Sequence, residues 1–103
     1  MIPAIKNNIL KIQEACKKHS VTSLYLFGSA TGNQIRGDSD IDFLVAYKRD
    51  KEGLPVNNFD YFDLLFLLED ITGCKVDLVV ADAIRNEYFK NRVEQQKQLL
   101  YEA

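Results

Sequence analysis

A single histidine, two cysteines and no run of basic residues narrow the chemistry open to this 103-residue chain. The lone histidine, His19, falls in the last turn of a predicted helix, where positive charge suits the carbonyl end of the dipole. It reads as a solvated helix-end residue, which leaves no obvious histidine to act as a general base. Cys16 and Cys74 are far apart and lack metal-ligand spacing. Buried, reduced thiols in a cytoplasmic protein are expected, rather than a disulfide. Net charge is −2, with acids and bases interspersed. Without a basic patch the electrostatic footprint for duplex DNA or RNA is missing, so an extended nucleic acid is not the expected partner, whereas a single nucleotide is compatible. No apolar run approaches the ~20 residues of a membrane span. Lys6 and Lys11 interrupt any signal-peptide core. Repeats and low-complexity segments are also missing.

What is present follows the periods of secondary structure. Ile5, Ile9, Ile12 and Cys16 recur at four, three and four, one face of a helix over residues 3–19. Pro3 suits its first turn. Residues 20–23 read as a break, and 24–27 as a short buried strand ended by Gly28. A second strand is predicted over 41–47, a polar loop over 48–58 and a helix over 59–72 closed by Gly73. Phe59, Phe62 and Phe66 lie on one line of that helix, with Leu64, Leu65, Leu67 and Leu68 widening the apolar surface. Either this helix is buried broadly, or its extra face meets a partner; packing within the fold's own core is the simpler account. A third strand is expected over 75–81 and a helix over 82–95, with Asp82 able to cap it. Residues 99–101 either dock on the sheet or extend the helix. With 47% apolar and 27% charged residues, the composition is that of one globular domain, 1–103. The fold class expected is α/β (α+β): a small mixed sheet of three to five strands, with helices packed mainly on one face.

The chemistry concentrates between residues 26 and 45. Gly28 and Ser29 turn the chain at the end of one apolar run, where backbone N–H groups can face phosphate oxygens. A helical turn over 30–34 would add its dipole at the same spot. In the strand that follows, alternation places Asp40 and Asp42 on one face with Cα atoms ~6.5–7 Å apart. Two carboxylates that close resist joint ionisation. A hard divalent cation reverses the sign, and Mg²⁺ takes one or two carboxylates together with substrate phosphates. Asp77 lies inside an apolar strand run, Val76–Asp77–Leu78–Val79–Val80. Spacing leaves two readings open there: an edge aspartate facing water, or a third carboxylate of the same site.

These residues resemble the nucleotidyltransferase superfamily that includes DNA polymerase β, and within it the minimal nucleotidyltransferase (MNT) domains. The shared pattern is Gly28–Ser29, a ten-residue spacer, then Asp40–Ile41–Asp42, with apolar Leu26–Phe27 before it and Phe43–Leu44–Val45 after. Val76–Asp77–Leu78–Val79 fits the family's later strand aspartate, and the closing Leu99–Leu100–Tyr101–Glu102 resembles the end of MNT chains. The resemblance implies a polymerase β-like core and metal-assisted nucleotidyl transfer. Asp40, Asp42 and Asp77 would be catalytic and hold Mg²⁺, with two ions expected. Gly28 and Ser29 would bind the triphosphate of ATP or another NTP, and Ser39 would brace the aspartate loop. Ala30 and Gly32 stand where many MNT domains carry basic residues. Arg36 is therefore either the remaining phosphate contact or a solvated loop arginine. MNT domains commonly pair with an all-helical HEPN protein, so transfer of AMP to a HEPN-type partner, as an antitoxin, is the expected function, with homo- or hetero-oligomers open. The alternatives are an MNT-like module that neutralises its partner by contact alone, and an enzyme acting on a small hydroxylated molecule such as an aminoglycoside.

Overall fold

An apolar, β-prone run puts residues 41–47 into a strand, and the computed structural model shows it as β2 (Ile41–Tyr47). The structure describes residues 1–31, 40–53 and 61–103. β2 lies inside a four-stranded sheet with β1 (Val21–Phe27), β3 (Val76–Val80) and β4 (Gln98–Glu102), in the order β3-β2-β1-β4. β1 runs antiparallel to both its neighbours, and β3 runs parallel to β2. The parallel pair needs a crossover, and α3 (Tyr61–Thr72) lies within it. The mixed sheet and its helices agree with the fold expected from the sequence.

Alternation sorts the strand residues onto two faces. On one, Leu24, Leu26, Ile41, Phe43, Val45 and Leu78 pack with helix residues. Those partners are Ile5 of α1 (Pro3–Lys6), Ile12 and Cys16 of α2 (Ile9–Lys18), and Leu64 and Leu68 of α3. Each such side chain contributes about 1.5–3 kcal/mol when fully buried. The other face carries a smaller cluster, Phe27, Leu44 and Val93, the last from α4 (Glu87–Gln96). Among the described residues, three helices thus cover one face and α4 crosses the other. Burial pushes the Cys16 thiol up to about 12, which makes it inert, and both cysteines are free. His19 caps the C-terminus of α2. No helix among the described residues is long and apolar enough to cross a membrane.

Several elements differ from their sequence expectations. The helix over 3–19 is two helices. The Asn7 N–H bonds Pro3 O at 2.8 Å, and the Asn8 side-chain amide donates to Ala4 O at 2.8 Å. Short amide side chains that bond back to the main chain compete with helix propagation. β1 begins at Val21 rather than at Leu24. Its first residues are irregular in register, and Thr22 Oγ1 donates to Ala46 O; polar residues in a bulged strand hide the two-residue period. Within α3 the inward stripe is Leu64, Leu68 and Thr72, while Phe62 and Phe66 are 62% and 60% exposed. Phe59, where that helix was expected to begin, lies outside the described residues. Residues 81–83 form a 3₁₀ turn, and α4 starts only at Glu87, capped by Asn86, whose Oδ1 accepts the Phe89 N–H at 3.0 Å. Asp82 is therefore not its cap. Residues 99–101 belong to strand β4, paired with β1.

Candidate active site

Gly28 follows β1 directly and adopts φ +75°, a left-handed conformation that glycine enters without steric cost. It opens a 3₁₀ turn, Gly28–Thr31, in which Thr31 Oγ1 donates to Gly28 O at 2.8 Å. The turn begins at Gly28; of the helical turn expected over 30–34, residues 32–34 lie outside the described residues. A second constraint acts on the same residue. A Cβ at position 28 would lie 2.4 Å from Oδ2 of Asp42. The glycine is thus needed for backbone shape and for the space occupied by a carboxylate.

Asp42 sits near the start of β2, on the face opposite Ile41 and Phe43. Across the sheet it is in register with Phe27 on one side and Asp77 on the other. Neighbouring strands lie ~4.8 Å apart, and paired residues share a face. Asp42 and Asp77 are therefore close partners on one face. Asp40 stands one residue before β2 and is exposed, as is Asp77. Asp42 is half-buried, and its carboxyl is pushed up from an ordinary 3.8 to about 6. Burial is the largest cause, followed by the charge of Asp77 and then that of Asp40. All three acids therefore act on one locality. Among the described residues no three His, Cys, Asp or Glu side chains already close on a single ion-sized point. Like charges held this near repel one another. The donor set, oxygen only and carboxylate-rich, fits a hard divalent cation such as Mg²⁺, whose charge removes that repulsion.

Two residues of α3 hold Asp77 in place, and sequence periodicity did not single them out. β3 is an edge strand, and its outer main-chain groups need partners. Tyr61 Oη donates to Leu78 O, and the Val76 N–H donates to Glu69 Oε2 at 3.1 Å. The two bonds flank Asp77. The Tyr61 hydroxyl pKa is raised, first by burial and then by the Asp77 charge. Removing the hydroxyl leaves the Leu78 carbonyl without that donor. Tyr61→Phe should therefore cost about 1 kcal/mol, a Tm loss of roughly 4–8 °C by thermal melt.

The structure sets Asp42 in register with Asp77 and against Gly28, and Asp40 lies near enough for its charge to act on Asp42. The backbone of Ser29 lies in the 3₁₀ turn beside them. Arg36 and Ser39 lie outside the described residues.

A glycine turn against an Asp-x-Asp strand, with a third aspartate on the parallel neighbour, is an arrangement open to comparison with known proteins. The family model described as "Polymerase beta, Nucleotidyltransferase" matches residues 10–103. The chain belongs to this family. It is a nucleotidyltransferase. A relative from Methanocaldococcus jannaschii, named as a protein adenylyltransferase, is 37% identical over 95 residues, 91% of this chain and 92% of that one. A solved minimal nucleotidyltransferase superposes with a TM-score of 0.73 at 26% identity, over 91% of this chain and 90% of that one. A solved toxin–antitoxin with AMP-PNP gives a TM-score of 0.68 at 26% identity, covering 93% of this chain and 74% of that one.

Proposed function

We propose that this nucleotidyltransferase moves a nucleoside monophosphate, AMP from ATP, onto a hydroxyl of a HEPN-type partner protein and so acts as its antitoxin. The observation that carries the reading is the in-register pair Asp42 and Asp77, with Gly28 against Asp42. The likenesses to a protein adenylyltransferase and to a toxin–antitoxin holding an ATP analogue support it. So does the exposed pair Phe62 and Phe66 on α3, ring centroids 6.2 Å apart, an apolar patch suited to a protein partner.

In this reading Asp40, Asp42 and Asp77 hold Mg²⁺, two ions in all. The backbone N–H groups of Gly28 and Ser29 receive the triphosphate, with Arg36 as a further phosphate contact and Ser39 bracing the aspartate loop. When bound, the metal neutralises the triphosphate and lowers the pKa of the acceptor hydroxyl. The acceptor oxygen bonds to the α-phosphorus while the bond to the β-phosphate bridging oxygen breaks, and pyrophosphate leaves. Asp77, exposed beside Asp42, accepts the hydroxyl proton, so no histidine is needed. Positioning and charge neutralisation carry most of the acceleration.

The test is α-labelled ATP with Mg²⁺ and a co-purified helical partner. Label should appear on the partner protein and fall by about 10²-fold or more in Asp77→Asn. Label on a small hydroxylated molecule with no partner present would replace the protein acceptor. A silenced partner without any label would reduce the role to binding alone.

A further inference from the structure

Where α4 crosses the sheet it leaves a cleft of about 300 Å³, lined by Phe27, Gly28, Tyr88, Phe89, Arg92 and Val93 together with Asn86 and Gln96. The nucleotidyl-transfer chemistry described above uses only one of these residues, Gly28. We infer that this cleft receives the purine base of the nucleotide substrate, with Phe89 as the stacking surface and Arg92 as the polar contact. The inference rests on the nucleotidyltransferase reading and extends it to a part of the molecule that the carboxylates do not reach.

Three observations support it. The first is continuity: Gly28 both abuts the Asp42 carboxylate and lines the cleft. A triphosphate held at Gly28 therefore carries its own nucleoside to the mouth of the cleft, at the high effective concentration of a tethered group. The second is surface chemistry. Phe27 and Phe89 meet edge to face, with centroids 6.0 Å apart and planes at 74°. Phe89 remains 38% exposed and Tyr88 71% exposed. Exposed aromatic faces beside a phosphate site match the π-face of a base, and the larger face of a purine gains more from stacking than a pyrimidine. The third is charge. Among the described residues, none that lines the cleft is acidic, and Arg92 supplies the only fixed charge there. Its guanidinium lies 5.9 Å from the centroid of the Tyr88 ring. A guanidinium donates and never accepts, so it suits the ring-nitrogen and carbonyl acceptors on a purine edge. The same charge repels a polycationic acceptor such as an aminoglycoside. The volume is at the lower bound of small-molecule sites, the scale of a base with part of its ribose.

Calorimetric titration of the full chain with Mg²⁺ tests this without any acceptor or turnover, using α,β-methylene-ATP and inorganic tripolyphosphate as paired probes. The wild type should bind the nucleotide more tightly than tripolyphosphate. Phe89→Ala should weaken the nucleotide by about ten-fold and leave tripolyphosphate unchanged. Arg92→Gln should narrow the preference for purine over pyrimidine triphosphates. Phe89→Leu keeps the apolar packing on Phe27 but removes the aromatic face, so it should reproduce the Phe89→Ala loss with an unaltered thermal melt. Equal weakening of both probes, or no weakening of either, would overturn the assignment. A wild type that binds both probes equally well defeats the base cleft alone. A wild type that binds neither defeats the nucleotidyltransferase reading together with it.

Discussion

Asp42→Asn should lower nucleotidyl transfer by about 10³-fold or more and, in the same protein freed of metal, raise the melting temperature. The two effects have one cause. Asp42 is held half-buried between two other acids, and its carboxyl titrates near 6 rather than 3.8. The folded state thus binds the Asp42 proton more tightly than the unfolded chain does. The stability associated with the neutral carboxyl is fully present below about 3.8 and is lost as the pH rises through about 6. At pH 7 the ionised group therefore works against the fold. Solvent screening of a half-exposed carboxylate leaves about 1 kcal/mol of this penalty. Asn keeps the shape and removes the charge, so Tm in the presence of chelator should rise by roughly 4–8 °C at pH 7. The gain should shrink toward zero as the pH is lowered below 4. Added Mg²⁺ should raise the Tm of the wild type, because a ligand bound only by the folded state stabilises it, and should do so far less in the variant. A variant that melts lower than the wild type at pH 7 without metal would contradict this account of Asp42.

Gly28→Ala should be the second severe lesion, and Gly73→Ala is its control. Both glycines have positive φ, +75° and +69°. Alanine in that region costs about 1–2 kcal/mol on backbone grounds alone. At Gly73 a Cβ meets nothing within 4 Å, so the backbone cost is the whole effect. At Gly28 the Cβ arrives 2.4 Å from Asp42 Oδ2. A side-chain oxygen can move aside, but here the move displaces a proposed metal ligand by an ångström or more, and a displacement of that size costs about 10²-fold in rate. The two variants should therefore melt alike, about 4–8 °C below the wild type for each kcal/mol. Transfer should survive in Gly73→Ala and fall by about 10²-fold or more in Gly28→Ala. Equal activity in the two would mean that Gly28 serves the turn alone.

Local patterns in the chain carried much of the site and most of the fold. Residues 41–47 are an apolar, β-prone run broken only by Asp42, so the strand was legible, and its two-residue period set Asp42 on the face opposite Ile41 and Phe43. The turn at Gly28 was legible for a similar reason, since a glycine closing an apolar run has few other roles. Legibility failed where side chains bond locally or where burial depends on distant elements. The Asn8 side chain bonds back to Ala4 O where the chain splits into two helices, although the apolar period runs straight through. Phe62 and Phe66 look inward by hydrophobicity, but the inward line of α3 is set by Leu64 and Leu68, which meet the sheet. Residues 99–101 were ambiguous because three apolar-rich positions fit a helix end as well as an edge strand.

What the sequence alone determined is the identity of the charged groups and their short-range order: Gly28 before the loop, Asp40 and Asp42 two residues apart, Asp77 inside an apolar run. That follows from the two-residue strand period, which needs no knowledge of neighbours. The tertiary structure decided which of these groups meet. Spacing left Asp77 balanced between an edge residue facing water and a site residue, because parallel register between strands more than thirty residues apart is set by packing rather than by local pattern. The pairing of Asp42 with Asp77, the closeness of Gly28 to Asp42, and the cleft under α4 all come from that long-range register. The cost of holding those charges together, visible in the raised pKa of Asp42, likewise appears only in the folded molecule, because it is a property of distance and burial.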